Sequence, residues 1–96
     1  DNVMNETFGE YIRELRVKKK LPLRKVAAAL DIDTSILSKI ERNERESIKE
    51  MIPILADSLE HPEKDIEIVF IKTQIIEKFG NLKYLKDGLK EIIKDL

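Results

Sequence analysis

The sequence contains no cysteine, so a disulfide framework and a thiolate metal site are both excluded. Its three glycines stand alone at positions 9, 80 and 88, and no glycine-rich loop exists to cradle a phosphate. Tryptophan is absent, and the one histidine, His61, directly precedes Pro62. With no cysteine and no serine elbow beside it, that imidazole has nothing to activate, and it is read as a helix-end residue. Long apolar runs are missing too. The longest, Ile68-Val69-Phe70-Ile71, falls far short of the ~20 residues a membrane span needs, and no signal-peptide core opens the chain, so a cytoplasmic protein is expected, with no membrane partner. Charge of one sign is also lacking, because 18 Lys and Arg face 19 Asp and Glu for a net charge of −1.

What remains is a 96-residue chain, 42% hydrophobic, that fits one small domain. A chain this long buries roughly two-thirds of its unfolded surface, enough for a core without covalent staples. Few glycines, three prolines and a persistent three-to-four-residue apolar spacing predict an all-α fold. The charge is unevenly spread. Arg13, Arg16, Lys18, Lys19, Lys20, Arg24 and Lys25 meet a single acid, Glu14, between residues 11 and 25, whereas residues 61–96 are balanced.

Thr7-Phe8-Gly9-Glu10 has the form of a capping box and predicts the start of a first helix with Phe8, Ile12 and Leu15 inward; residues 1–5 are an arm outside the fold argument. Pro22 opens a second helix through Leu30 with Leu23, Val26, Ala27 and Leu30 inward. Asp31-Ile32-Asp33 forms a turn, and Asp33 caps a third helix from Thr34 to about Arg42, which Asn43 ends in the left-handed conformation. Ser47-Ile48-Lys49-Glu50 reads as a second capping box, starting a fourth helix in which Pro53 is expected to break one backbone bond. From Asp65 to Lys78 helix is favoured over strand, Gly80 is the stop, and Asn81 caps a last helix carrying Leu82, Leu85, Leu89, Ile92 and Leu96. Gly88 weakens that helix unless another helix crosses closely there.

Residues 21–45, LPLRKVAAALDIDTSILSKIERNER, therefore hold two short helices joined by a three-residue turn, the layout of a helix-turn-helix. Val26, Ala27, Leu30, Ile32, Leu37 and Ile40 supply its packing, which leaves Thr34, Ser35, Ser38, Lys39 and Arg42 facing out. At these residues the chain resembles the phage-repressor-like regulators of the lambda/Cro or xenobiotic-response-element type, most specifically over Ile36-Leu37-Ser38-Lys39-Ile40-Glu41-Arg42.

The resemblance spans residues 6 to about 60. It implies a five-helix lambda-repressor-like DNA-binding bundle, here with a C-terminal helical extension, whose third helix enters the major groove of double-stranded DNA. By position it implies base-edge contacts from Thr34, Ser35, Ser38 and Lys39, and phosphate contacts from Arg24, Lys25, Arg42, Arg45 and Lys49. It also implies a structural ion pair between Arg16 and Glu41. Leu23 stands where many relatives carry Gln, Asp31 and Asn43 where they carry Gly, and Pro22 where they carry Ser or Thr; Glu44 and Glu46 set acids beside the expected phosphate face.

Residues 61–96 are expected to form a helical hairpin that pairs two copies, because their apolar residues encircle too much of the helix for one wet side. The expected dimer residues are Ile66, Val69, Phe70, Ile76, Phe79, Leu82, Leu85, Leu89 and Ile92. The functional expectation is a dimeric repressor or autoregulator, with no enzymatic activity, cofactor or metal. Asp31-x-Asp33-x-Ser35 shares the opening of a calcium loop, but Ile36 stands where glycine must turn the chain and Arg42 where a bidentate glutamate must close it. The competing expectation is a protein-interaction module, antitoxin-like or accessory to a restriction-modification system, on a scaffold that binds DNA weakly.

Overall fold

The computed structural model describes residues 6–96, and the arm expected at residues 1–5 lies outside them. Six helices follow in order: α1 (Phe8–Lys18), α2 (Leu23–Leu30), α3 (Thr34–Glu41), α4 (Met51–Leu59), α5 (Glu63–Phe79) and α6 (Leu85–Asp95). Among the described residues there is no strand. The capping box at the start of α1 is formed, with the Glu10 amide donating to Thr7 Oγ1 at 3.1 Å and the Thr7 amide donating to Glu10 Oε1 at 3.0 Å.

Helices α1 to α4 all stop the same way, and none uses glycine. Lys20, Asp31, Asn43 and Glu60 each adopt a left-handed backbone with φ between 50° and 62°, and the amides at each stop return to carbonyls of the last turn. Asn43 was legible as such a position from its short polar side chain, and Asp31 from the glycine that relatives carry there. Lys20 and Glu60 were not, since neither residue type favours that conformation.

Two helix starts differ from expectation. No capping box forms at Ser47, and α4 begins at Met51 after a turn over residues 48–50. Pro53 accounts for the shift: it now occupies the third position of the first turn, where its missing N–H would have had no intrahelical partner, so the helix runs unbroken to Leu59. Likewise α6 starts at Leu85, not after Asn81, because residues 80–84 turn back through bonds from the Leu82 amide to Phe79 and the Leu85 amide to Leu82. Gly80 ends α5 with ordinary right-handed torsions, φ −60°, and no left-handed stop is used there. Asp33 stands at the start of α3 as expected, but its side chain makes no capping bond.

The core joins Phe8 and Ile12 of α1, Val26 and Ala27 of α2, Leu37 and Ile40 of α3, Ile52, Leu55 and Leu59 of α4, and Ile66 of α5. The core thus extends past residue 60 into α5. Ile66 is fully buried in the same core, and Phe70 packs edge-on against Phe8 with ring centroids 5.2 Å apart, so the first half of α5 is the fifth helix of the bundle. Ile66 is thereby unavailable to a partner, and Val69 and Phe70 are half-buried against their own core. The close helix pairs are α1 with α3 and α5, α2 with α3 and α4, and α4 with α5, whereas α6 forms no such pair.

Gly9 permits the close approach of α1 to α3. A Cβ at that position would press into the Ile40 carbonyl oxygen and the Glu41 backbone, so α1 lies directly on the main chain of α3. Gly9→Ala is expected to destabilise the fold by at least the ~1–3 kcal/mol typical of overpacking, read as a lower urea midpoint with an unchanged slope.

Candidate nucleic-acid interface

The helix-turn-helix is built by α2, the turn 31–33 and α3. Ala27, 1% exposed, removes side-chain bulk within the packed pair, and Ile32 plugs the turn between them. The amides of Asp31 and Ile32 bond back to the carbonyls of Ala28 and Ala27 at 3.0 Å, which fixes where α3 leaves the turn. Leu37, Ile40 and Glu41 are the buried residues of α3.

That burial decides what the other side of α3 presents. Ser35 and Lys39 are exposed on the side away from Leu37 and Ile40, Ser38 is half-buried on its flank, and Thr34 is exposed in the first turn of the helix. Arg24 and Lys25 are exposed in the first turn of α2, and Arg45 and Lys49 are exposed in the segment between α3 and α4. Arg42, just past α3, is exposed but already engaged: it donates Nη1 to Ser38 Oγ at 2.6 Å and both Nε and Nη2 to Glu44 at 3.1 Å. The hydrogen bonds between Arg42 and Glu44, and then the opposite charge each faces, lower the Glu44 carboxyl from its ordinary value and raise Arg42 above its own.

The ion pair expected from the resemblance is present. Arg16 donates Nε to Glu41 Oε2 at 2.7 Å and Nη2 to Oε1 at 3.0 Å, and its remaining Nη1 donates to the Leu21 carbonyl at 2.9 Å. The fork thus ties α1, the α1–α2 turn and α3 together at a carboxylate only 4% exposed. His61 is held at the α4–α5 turn, where its Nε2 lies 3.2 Å from the Tyr11 hydroxyl and 3.7 Å from Asp65. Burial, then the nearby Asp65 and Glu6 charges, push the Tyr11 phenol up.

Sequence reasoning missed three features of this region. Gly9 carries no signal until the crossing with α3 is known. Glu44 reads as an unfavourable acid until the Asn43 turn folds it back onto Arg42. A cleft of about 390 Å³ also opens between the start of α1, the α3–α4 segment and α5, with Arg45, Glu46, Lys72 and Glu77 among its walls.

Glu41→Ala is expected to cost about 3 kcal/mol in stability, because it strands a largely buried guanidinium, and to broaden the α3 amide resonances more than those of α5.

No curated protein and no solved structure matches this chain. The sequence model of the helix-turn-helix family does match, over residues 12–59, half of the chain, and its limits enclose Ile12 and Arg16 of α1, all of α2 and α3, and the whole of α4. Six helices, no strand among the described residues, the Arg16–Glu41 tie and this match lead to one conclusion: the chain belongs to the Cro/C1-type helix-turn-helix family of DNA-binding regulators.

Proposed function

We propose that this protein is a homodimeric transcriptional repressor or autoregulator that recognises a specific sequence of double-stranded DNA with α3 in the major groove. The observation that carries the reading is the outer face of α3. Its exposed positions are hydroxyls and a lysine, while its inner positions are locked by core packing and by Arg16. Hydroxyls and an ammonium match base-edge acceptors, and Lys39 suits guanine O6 and N7. Arg24, Lys25, Arg45 and Lys49 then position the helix through phosphates without reading sequence.

Dimerisation is supported at the other end of the molecule. The end of α5, residues 80–84 and α6 line an open groove of about 520 Å³ whose walls are almost wholly apolar, including Ile75, Phe79, Leu82, Leu85, Leu89 and Ile92. Ile76 is half-buried nearby on α5. A Cβ at Gly88, on the same groove, would meet no atom within 4 Å, so the close helix crossing that would explain this glycine is not made within one chain. A second copy of α6 seated there covers the apolar surface and gives Gly88 its neighbour. Two recognition helices then address half-sites ~34 Å apart on one face of the duplex.

Selection from a randomised duplex library, followed by gel shift, tests the reading. An inverted repeat is expected, with half-site centres about 10 base pairs apart. Lys39→Ala is expected to cost ~1–3 kcal/mol on the selected site and to relax one base position; equal losses on selected and random duplexes would remove its role as a reader. Leu89→Asp is expected to shift the protein from dimer to monomer in sedimentation equilibrium while the far-ultraviolet spectrum is kept, and a wild type that sediments as a monomer at micromolar concentration would rule the dimer out.

A further inference from the structure

Serine hydroxyls are poor discriminators in the major groove. The group rotates freely, donates one proton and accepts through two lone pairs, so it suits base donors and base acceptors alike. Ser38 is not free in this way. Its oxygen accepts from Arg42 Nη1 at 2.6 Å, and among the described residues no protein acceptor takes its proton. Arg42 is in turn held by a two-point contact, Nε and Nη2 each 3.1 Å from a different oxygen of Glu44. The backbone makes that contact possible: Asn43 turns left-handed at φ 62°, and the Glu44 amide bonds back to the Lys39 carbonyl at 2.8 Å, which folds Glu44 toward the end of α3.

We infer that Glu44, Arg42 and Ser38 form a specificity-determining relay, in which Glu44 and Arg42 are positioning residues that bias the Ser38 hydroxyl toward donating: the Arg42 bond takes one of its two lone pairs and the adjacent guanidinium charge repels a further donor. Ser38 then selects an acceptor on the base edge, such as guanine O6 or N7, adenine N7 or thymine O4, and discriminates against the cytosine amino group. The inference rests on the DNA-binding reading above and adds to it. It changes the part given to Arg42, three of whose N–H groups point at protein partners, from phosphate clamp to support for a reader. It also explains an acid beside the DNA face. Glu44 and Arg42 are both about half exposed, so their pairing is an alignment device more than a source of stability. Hydrogen bonds from Arg42 keep the Glu44 carboxyl depressed, and the relay stays ionised at neutral pH and dissolves only as pH falls through that lowered value.

The test uses the full chain as wild type, Ser38→Ala, Glu44→Ala, Arg42→Ala and the Ser38→Ala/Glu44→Ala double variant. Each is measured by competition binding on the duplex selected by the wild type and on its single-base replacements. Ser38→Ala is expected to flatten preference at one position by roughly 2- to 12-fold, the span of one neutral hydrogen bond. Glu44→Ala and Arg42→Ala flatten the same position, and the double variant flattens it no further. Arg42→Ala leaves the salt dependence of binding unchanged. The inference is overturned if Glu44→Ala tightens binding to every sequence by one factor with all preferences intact, since the acid then acts only as a repulsive charge. It is equally overturned if Arg42→Ala lowers the slope of log K against log salt by about one, the mark of a lost phosphate contact. A wild type that enriches no sequence removes the DNA reading itself, an outcome distinct from either.

Discussion

The position of α3 depends on how α1 holds it. Gly9 and Arg16 lie seven residues apart on α1, two turns along one face, and both act on the same short stretch of α3. Gly9 lets the two backbones approach at Ile40 and Glu41, and Arg16 closes on the Glu41 carboxylate from the other end. A desolvated carboxylate gains little net stability from such a pair, but it tolerates few other arrangements. The consequence is directional: with Glu41 and Leu37 held inward, helical periodicity turns Ser35 and Lys39 outward and Ser38 to the flank, while Thr34 is exposed as the first residue of the helix. Arg16 also binds the Leu21 carbonyl, so the same guanidinium sets where α2 begins.

Short helices need sharp ends, and the chain obtains them without glycine. Left-handed residues at 20, 31, 43 and 60 stop α1 to α4, each at a conformational cost that core burial must exceed. In return the polar side chains at these stops are used: Lys19, next to the first stop, donates to the Glu60 carbonyl at the fourth, and the third brings Glu44 onto Arg42. A glycine at 43 could make the same turn. The acid that follows it gives the turn its chemical effect.

Much of this was legible in the sequence because the signals were local. The Thr7–Glu10 box, Pro22, the Asp31 and Asn43 stops and the apolar spacing of α1 to α3 each depend on neighbours within four residues, and each predicted the right element. Serine 47 and Asn81 failed as helix starts for the opposite reason. Both are good caps by type, but Pro53 and the turn at 80–84 moved the starts by several residues. Ile66, Val69 and Phe70 are partner-facing by pattern because α5 is apolar on most sides; the burial of Ile66 and the packing of Phe70 on Phe8 assign that half of the helix to the core. Gly9 and the Arg42–Glu44 contact depend on where another backbone lies, and spacing alone carries no sign of them.

The molecule thus has a rigid head and an unfinished tail. The head satisfies its buried polar groups, and among the described residues no buried side-chain nitrogen or oxygen lacks a partner. The tail leaves Phe79, Leu82 and Ile92 about half exposed around one groove. Whether the outer face of α3 is the DNA surface is tested most directly by amide NMR spectra of the 15N-labelled chain, titrated with a random-sequence duplex at low and high salt. Shifts are expected at Arg24, Lys25 and residues 33–49, and they fade as salt rises. Shifts confined to α6 and the end of α5, or none at low salt, would contradict that assignment.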